Sequence, residues 1–464
     1  MLQKLKNRYV GNKRFYRMTL GIAVPIMIQN GISNFVSMLD NIMVGNVSAE
    51  QMSGVSIVNQ LIFVFNLMIF GAVSGAGIFG AQFFGSGDTK GVRDTFRFKI
   101  VSCGLLTALG ILIFLGFGDE LIRMYLQGEG QAEQIEACFY YAKQYLFIMM
   151  VGFIPFYVCQ CYASTLRETG ETILPMVSGI VAVIVNFCFN LVLVFGLLGF
   201  PAMGAAGAAI ATVISRFVEA GIVMIAVHCK KKKYAFIEGA YKSLYVPGYL
   251  VKGILQKGIP LLLNETLWAG GMAFLNQCYS VRGFDVVSAV NISSTIANVF
   301  NVSFIAMGSA IGIIIGQMLG AGKTEEAVDA DRKLIAFSVV SCLLFAAVLF
   351  ALSPVFPLIY QEVGPASHAM ASSFMRIAAC CMPIGAYANA AYFTLRSGGK
   401  TFITILFDSC YVWLLVVPLA YCLSRFTDLP IVPLFFCCQF IEIGKCIIGA
   451  IMIKSGIWIN KIVA

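Results

Sequence analysis

The chain has 464 residues, of which 59% are hydrophobic and 12% are charged. A soluble globular domain carries about twice that share of charge, so the composition excludes a soluble protein and indicates a membrane protein. The net charge of +9 and the four lysines at 230–233 do not indicate nucleic-acid binding, because basic loops also set membrane topology and meet anionic headgroups.

Apolar runs long enough to cross a bilayer recur along the whole chain, since a hydrocarbon core of about 30 Å needs roughly 20 helical residues. Helices are the expected form because a spanning segment must satisfy its own backbone groups. We predict an all-α membrane protein with twelve transmembrane helices, at about 18–45, 55–83, 97–117, 137–161, 172–196, 204–227, 253–281, 288–318, 334–353, 369–393, 402–423 and 431–453.

Lys and Arg are concentrated at the two ends of the chain and in the even-numbered loops, Lys99 being counted with the loop after the second span. The positive-inside rule therefore places both termini in the cytoplasm. The first apolar stretch is too long and too polar for a cleaved signal peptide. The 15 cysteines lie mostly within apolar segments, where they behave as small hydrophobic residues, and they indicate neither a disulfide framework nor a zinc site.

The chain contains an internal repeat, which appears when it is compared with itself at a shift of 235 residues. The segment that begins at Val55 then aligns with the segment that begins at Val290, and Pro25 aligns with Pro260. Because each copy holds six spans, both copies enter from the same side, which implies a pseudo-two-fold axis along the membrane normal. We predict an N-terminal six-helix bundle at 1–228, a cytoplasmic linker at 229–250 and a C-terminal six-helix bundle at 251–464.

Three glycines of the second span, Gly75, Gly77 and Gly80, have the G-x-G-x-x-G spacing of a dinucleotide-binding loop. A true loop of this kind needs a preceding strand in a βαβ unit, and the second copy keeps only one of the three glycines. The repeat does keep small residues four apart, which let helices approach closely in lipid. These residues are Gly77, Ala81 and Gly85 in the first copy and Gly312, Gly316 and Gly320 in the second.

Polar side chains form stripes along several spans, within arcs of about 120° to 140° on the first and eighth. A single polar residue in a span more often bonds between helices, whereas stripes of this length favour a water-filled cavity between the halves. We expect the cavity and substrate-contacting residues to be Gln29, Asn30, Ser33, Asn34, Ser37, Asn41, Asn59, Asn66, Asn186, Asn190, Asn264, Trp268, Asn291, Ser294, Thr295, Asn298 and Asn301.

Three intramembrane carboxylates are the candidates for cation coupling. Asp40 ends the polar stripe of the first span and has no nearby cation in sequence. A charge there costs about 2.5–3.5 kcal/mol, so the side chain either takes up a proton or pairs with Lys or Arg on another helix. Glu265 and Asp408 also lack a local partner.

Two further pairs of opposite charge lie one turn apart, Glu442 with Lys445 and Arg216 with Glu219. Each pair either neutralises itself or takes part in transport.

Five segments carry a family resemblance. MLDNIMVGNVSAEQMSGVSI ends the first span, GSGDTK and GAGKTE follow the second and eighth, and TLRETGET and TLRSGGKT follow the fourth and tenth. In order and repetition they resemble the multidrug and toxic compound extrusion (MATE) family over essentially the entire chain. The resemblance implies a secondary antiporter that exports organic, often cationic, compounds in exchange for protons or sodium ions by alternating access.

The resemblance also bears on the coupling residues. Asp40 matches the aspartate that bacterial members use on their first helix. DinF-like members carry a second aspartate four residues after an asparagine on the fifth helix, and here Asn186 is followed by Asn190. NorM-like members carry a seventh-helix glutamate farther from the proline than Glu265, about where Trp268 lies. The choice between protons and sodium ions therefore stays open.

The expected partners are a small organic substrate, H⁺ or Na⁺ and membrane lipid, without nucleic acid. The protein is expected to be a monomer in the plasma or inner membrane, with no cofactor and no metal or catalytic residues. A lipid-linked saccharide flippase of the same superfamily is the alternative within transport, although such proteins usually have extra helices and a more cationic cavity. A membrane-embedded enzyme is disfavoured because the two histidines, His228 and His368, lie near span ends, and no filter-like motif favours a channel.

Overall fold

The structure, a computed structural model, describes residues 8–45, 47–126, 132–360 and 364–463. These residues form helices and connecting turns, and they contain no β-strand. The α-helices are α1 (Lys13–Gly45), α2 (Ala49–Ser86), α3 (Thr89–Tyr125), α4 (Ala132–Val151), α5 (Phe153–Glu168), α6 (Ile173–Phe195), α7 (Gly204–Cys229), α8 (Gly248–Ser280), α9 (Phe284–Gly320), α10 (Thr324–Leu352), α11 (Pro365–Ser397), α12 (Thr401–Ile405), α13 (Val417–Phe426), α14 (Ile431–Phe440) and α15 (Glu442–Lys454). Two π-helical segments, Leu406–Cys410 and Val412–Val416, connect α12 to α13.

The helices match the spans predicted from the sequence. Within the described residues, nine continuous helical stretches are long and apolar enough to cross a membrane, and the bent pair α4 and α5 provides a tenth. Helices α1 and α8 correspond to the two remaining predicted spans. Each has 33 residues but carries more polar side chains. The all-α, twelve-helix membrane architecture is thus confirmed.

The fourth predicted span, 137–161, is two helices rather than one. Helices α4 and α5 meet at Gly152 with an angle of 47°. Pro155 lies in the first turn of α5, where it has no backbone N–H to donate to the end of α4, so the hydrogen-bond ladder is interrupted there. The sequence reads as one apolar run because Gly152 and Pro155 leave its hydropathy unchanged.

The chain forms two compact units. The first comprises Met1–Met27, Ala81–Gly87 and Ile259–Ala464, and the second comprises Ile28–Gly80 and Asp88–Gly258. The division into 1–228, 229–250 and 251–464 stays a prediction.

The core of the first unit joins α9 and α11 with their neighbours through small side chains and stacked rings. Ala289, Ala371 and Ala386 are fully buried, and the rings of Phe374 and Phe435 stack with centroids 4.5 Å apart. Because lipid tails are as apolar as leucine, close van der Waals packing of this kind stabilises membrane helices.

The repeated small residues bring the end of α2 against α9 within this unit. A Cβ atom added at Gly85 would overlap the carbonyl oxygen of Gln317, and one added at Gly320 would overlap that of Gln82. Beside them, a Cβ at Gly316 would lie 3.1 Å from the Cβ of Ala81. The prediction that these residues allow close helix approach is confirmed at this crossing.

Gln82 also holds the C-terminal segment against the end of α11. Its side chain is fully buried, and its Nε2 donates to the backbone oxygens of Ser397 at 3.0 Å and Asn460 at 3.1 Å. Its Oε1 accepts from the backbone N–H of Ile462 at 2.8 Å. Trp458, 1% exposed, is buried in the same place.

In the second unit, two glycines of the motif make room for a buried ion pair. Lys99 Nζ lies 2.6 Å from the Glu168 carboxylate and also donates to the hydroxyls of Ser164 and Thr165. A Cβ at Gly77 or Gly80 would collide with that carboxylate. The motif therefore lies inside a helix and serves packing, as predicted, whereas the prediction that Lys99 is a loop charge is wrong because it is fully buried in α3.

The linker after α7 folds back onto α3. Arg97 donates from Nε to Ala240 O and from Nη2 to Gly239 O, both at 2.8 Å, while its Nη1 pairs with Asp94 at 2.9 Å. The rings of Phe96 and Phe236 lie 5.4 Å apart. One arginine therefore holds two linker carbonyls.

An ion pair between Lys233 and Glu171 fixes the start of the linker. Partial burial acts to raise the pKa of Glu171, but the hydrogen bond and charge of Lys233 outweigh it, and the pKa falls below its ordinary value. The hydrogen bond to Glu171 raises the pKa of Lys233. The contribution of this pair to stability is present above the unfolded-state pKa of the carboxyl group and is lost as the pH falls through its lowered native value.

Arg97→Ala is expected to expose the linker to trypsin at Lys230–Lys233. Losing a hydrogen bond to a charged group costs about 1.5–3 kcal/mol. When the cleavage rate is proportional to the fraction of molecules whose linker is detached, this cost corresponds to roughly tenfold faster cleavage, or more. Limited proteolysis of the purified protein measures the rate. Lys90→Ala, which removes an exposed charge from the same helix, is the control, and equal cleavage in both variants would contradict the docking role of Arg97.

Candidate functional site

Within the first unit, a buried asparagine of α8 is hydrogen-bonded to the first π-helical segment, Leu406–Cys410. Asn264 is fully buried, and its Nδ2 donates to Asp408 Oδ2 at 3.0 Å. The hydroxyl of Ser409 lies 2.7 Å from both the side-chain and the backbone oxygen of Asn264. π-Helical turns within membrane helices often mark functional sites, and this one carries the carboxylate.

Lys445 on α15 supplies the positive charge of this site. Its Nζ lies 2.5 Å from Asp408 Oδ1 and 3.8 Å from Glu442 Oε2, and its side chain is 6% exposed. The spacing in the sequence pairs Lys445 with Glu442. In the structure Asp408 is a further partner of Lys445 and lies nearer to it than Glu442 does. The nearer carboxylate is 37 residues away in the chain.

Glu265 is joined to the same site through a tyrosine. The Tyr392 hydroxyl donates to Glu265 Oε1 at 3.1 Å and lies 3.5 Å from Asn264 Nδ2. The ion pairs of the described residues do not include Glu265. We call Glu265, Asp408, Glu442 and Lys445 the acid cluster.

The acid cluster has more negative than positive charge. When all four groups are ionised, three carboxylates face one ammonium, and the guanidinium charge of Arg396 on α11 also acts on Glu265. One negative charge is then in excess on membrane helices, where an uncompensated charge is costly. The arrangement is therefore suited to bind a proton or another cation, because either would reduce the excess of negative charge.

Other predicted residues of the first unit lie on α8 and α9 with exposed side chains. Trp268 is 41% exposed, and its neighbour Leu267 accepts a hydrogen bond from the indole of Trp413 at 2.8 Å. On α9 the polar stripe is exposed at Asn291, Ser294, Thr295 and Asn298, and it is half-buried at Asn301.

The predicted polar residues of the second unit divide into exposed and packed groups. Gln29 and Asn30 are half-buried on α1 and Asn66 is half-buried on α2, whereas Ser33, Asn34 and Asn59 are exposed.

Asn186 and Asn190 are buried and hydrogen-bonded where α6 meets α7. Asn190 Nδ2 donates to Asn186 Oδ1 at 3.1 Å, and Asn186 Nδ2 donates to Thr212 Oγ1 at 3.2 Å. These two asparagines therefore bond neighbouring helices.

Asp40, Ser37 and Asn41 belong to α1, but their side chains lie outside the described part of the chain. Their predicted roles stay predictions. The other predicted local pair, Arg216 with Glu219, is absent from the ion pairs of the described residues. The Arg216 guanidinium lies over the ring of Phe156, 4.9 Å from its centroid.

Comparison with known proteins identifies the family. The family model MatE matches residues 25–192 and, a second time, residues 260–422. The chain belongs to the MatE family. Members of the MatE family are multidrug efflux transporters and not enzymes, so the chain is a multi-pass membrane transporter. The two matched segments correspond to the two copies of the repeat.

Relatives within the MatE family agree with this assignment. The probable multidrug resistance protein NorM of Pasteurella multocida is 27% identical over 422 residues, which cover 88% of this chain and 86% of that protein. The probable multidrug resistance protein NorM of Thermotoga maritima is 26% identical over 312 residues, covering 67% of this chain and 65% of that protein.

Solved MatE-family structures have the same fold. An outward-facing multidrug resistance MATE family transporter of the MOP superfamily superposes with a TM-score of 0.86 at 16% identity, covering 95% of each chain. A MATE transporter of Vibrio cholerae also gives 0.86 at 16% identity, covering 96% of this chain and 97% of that one.

Proposed function

We propose that the chain is a secondary antiporter that exports organic, often cationic, compounds in exchange for protons or sodium ions by alternating access. The observation that carries the proposal is the acid cluster, which combines three carboxylates with one ammonium on helices of a MatE-family transporter. Organic cations, protons and sodium ions are the ligands that such a group binds. A polyanionic saccharide–lipid headgroup would be repelled by it, which disfavours the flippase alternative.

The chemistry of exchange follows from competition for the same carboxylates. Lys445 compensates Asp408 and the charge of Arg396 acts on Glu265, so Glu265 and Glu442 together carry one excess negative charge when both are ionised. An incoming proton or sodium ion lowers that charge and weakens the attraction for a bound organic cation, which is then released. When the small cation leaves on the other side of the membrane, the attraction returns.

The membrane potential contributes to driving this exchange whenever more positive charge enters than leaves. A potential of 100 mV supplies about 2.3 kcal/mol for each elementary charge moved. Because about 1.4 kcal/mol corresponds to a factor of ten, one charge supports a substrate gradient of roughly fiftyfold.

The resemblance adds Asp40 as the coupling carboxylate of the first half. We further propose a monomer in the plasma or inner membrane with both termini in the cytoplasm, from the distribution of Lys and Arg. The tetralysine at 230–233 would then face anionic headgroups.

Efflux from proteoliposomes tests the proposal. With a fluorescent organic cation inside, we expect efflux when a proton or a sodium gradient is imposed alone, and near-background efflux from Asp40→Asn. Asp119→Asn is the control, since Asp119 forms a half-exposed ion pair with Lys143, and it should transport normally. Efflux that requires ATP would contradict antiport, and full activity of Asp40→Asn would remove that residue from the mechanism.

A further inference from the structure

Another buried carboxylate lies away from the acid cluster, near the start of α10. Asp331 is 1% exposed, and its Oδ1 lies 2.5 Å from the hydroxyl oxygen of Thr394 on α11. It belongs to the same unit as the acid cluster but shares no hydrogen bond with it among the described residues.

No basic side chain pairs with Asp331 in the part of the chain that the structure describes. Arg332 is its chain neighbour, while Lys333 pairs outward with Asp329 at 2.5 Å. On the elements packed against α10, Tyr387 of α11 lies within electrostatic range of Asp331. Arg396 follows Thr394 by two residues on α11, and α1, which carries basic residues at 13–17, contacts α10 through Tyr16 and Phe337. Helix α9 carries one ionisable side chain, Asp285, at its far end.

An ionised carboxylate in such a place would be strongly disfavoured. Burying a charge without a counter-charge costs several kcal/mol, and such a group usually neutralises instead. A single hydroxyl contact does not compensate for that cost.

The hydroxyl of Thr394 has two oxygen neighbours and one hydrogen. Besides Asp331 Oδ1, its Oγ1 lies 3.0 Å from the backbone oxygen of Ala390, one turn earlier. If the threonine hydrogen goes to that carbonyl, which is a common bond for threonine within a helix, the hydrogen between Asp331 and Thr394 must come from the carboxyl group.

The first copy of the repeat contains the same threonine with an unambiguous donor. Thr165, which aligns with Thr394, donates to the backbone oxygen of Cys161 at 2.9 Å and accepts from the ammonium of Lys99 at 3.1 Å. In both copies the threonine thus bonds to the carbonyl four residues earlier and meets a buried ionisable group of the preceding membrane span. In the first copy the Lys99 ammonium donates to the threonine, and in the second copy the group beside the threonine is the Asp331 carboxyl.

We propose that Asp331 is a proton-binding site, held as the neutral acid, whose O–H donates to Thr394 and joins the start of α10 to the end of α11. Loss of the proton leaves a buried carboxylate whose hydrogen-bond partner among the described residues is one hydroxyl, Thr394, and which has no paired counter-charge there, so the joint between the two helix ends opens to water. This site is separate from the acid cluster and does not depend on the proposed antiport.

Infrared spectroscopy of the purified protein tests the protonation state directly. At neutral pH we expect Asp331→Asn to lose the carbonyl band of one protonated carboxylic acid, a band that shifts in D₂O. Asp329→Asn, on the same helix but with a half-exposed carboxylate that is paired with Lys333, should lose none. An unchanged band in folded Asp331→Asn protein would overturn the proposal.

A second variant keeps the acid and removes its acceptor. Thr394→Val should shift the same band to higher frequency, because the acid O–H loses its hydrogen-bond partner, whereas Thr165→Val should leave it in place. This readout remains if Asp331→Asn does not fold, and an unshifted band would also overturn the proposal.

Hydrogen exchange measures how often the joint between the start of α10 and the end of α11 opens. In the wild type, exchange at residues 390–397, corrected for the intrinsic effect of pH, should increase as the pH is raised, and in Asp331→Asn it should not. A pH-independent joint in the wild type would contradict the proposal. None of these measurements involves transport, so their failure is distinguishable from failure of the antiport mechanism.

Discussion

Lys445→Met is expected to lower the free energy of unfolding by about 3–5 kcal/mol and to abolish substrate efflux. The substitution keeps the length of the side chain but leaves Asp408 as an uncompensated, largely buried charge, and breaking a buried ion pair by removing one partner has an effect of this size. Thermal unfolding in detergent and efflux from proteoliposomes measure the two losses separately.

The double variant Asp408→Asn with Lys445→Met separates structure from transport. Both charges are then gone, so most of the lost stability should return, because residues in direct contact are not additive. Efflux should stay absent if the carboxylate takes part in coupling. Recovery of efflux in the double variant would mean that the ion pair only holds helices together.

Lys333→Met provides the matched control for this experiment. Lys333 forms an ion pair with Asp329 one turn away on α10, and that aspartate is half-exposed. Pairs of this kind contribute about 1 kcal/mol or less, so stability and efflux should both remain near the wild-type values.

Gly85→Ala and Gly320→Ala are expected to destabilise the protein by about 1–3 kcal/mol each, or more. The added methyl group would overlap a backbone carbonyl oxygen, of Gln317 in one case and of Gln82 in the other. A backbone atom cannot move to another rotamer, so the helices must separate and lose contacts along the crossing. The yield of folded protein and its thermal midpoint measure the effect.

A glycine with free space is the control for these two substitutions. Gly221 lies on α7, and a Cβ atom there would meet nothing within 4 Å. Alanine is favoured over glycine in a helix by up to about 1 kcal/mol, so Gly221→Ala should be neutral or stabilising. If all three variants lose similar stability, close approach at the crossing is not the cause.

Most of the fold could be predicted because hydropathy and repetition are properties of the sequence itself. The spans follow from the length of apolar runs, and the small residues kept in both copies predicted a close helix approach, which the structure places where α2 crosses α9. The break at Gly152 could not be found in the same way, because neither glycine nor proline interrupts an apolar run. A proline three residues after a glycine is the signal that was available there.

The composition of the site was easier to predict than its pairing. Glu265 and Asp408 stand out as carboxylates within apolar spans, but the contact between Asp408 and Lys445 depends on how two helices are rotated toward each other. Local spacing instead paired Lys445 with Glu442, at 3.8 Å the more distant partner.

Charges near span ends were the hardest to place. Lys99 and Asp331 both lie close to the predicted ends of spans, where the sequence does not distinguish a buried group from a loop charge. In the structure Lys99 is buried beside Thr165, and Asp331 is buried beside Thr394. The two threonines, Thr165 and Thr394, begin the repeated TLR segments, and this repetition is the signal that the sequence offered for both places.

The positions of the three tryptophans give the molecule its own optical reporters. Trp268 lies one turn beyond Glu265, and the indole of Trp413 binds the carbonyl of Leu267, so two chromophores flank the acid cluster. Trp458 is buried, with 1% exposure, beyond the C-terminal end of α15, and its indole N–H donates to the backbone oxygen of Ile453. Indole emission responds to nearby charge and hydration. Cation binding to the acid cluster should therefore shift the emission wavelength of Trp268 and Trp413, while the emission of Trp458 stays constant, and no attached dye is needed.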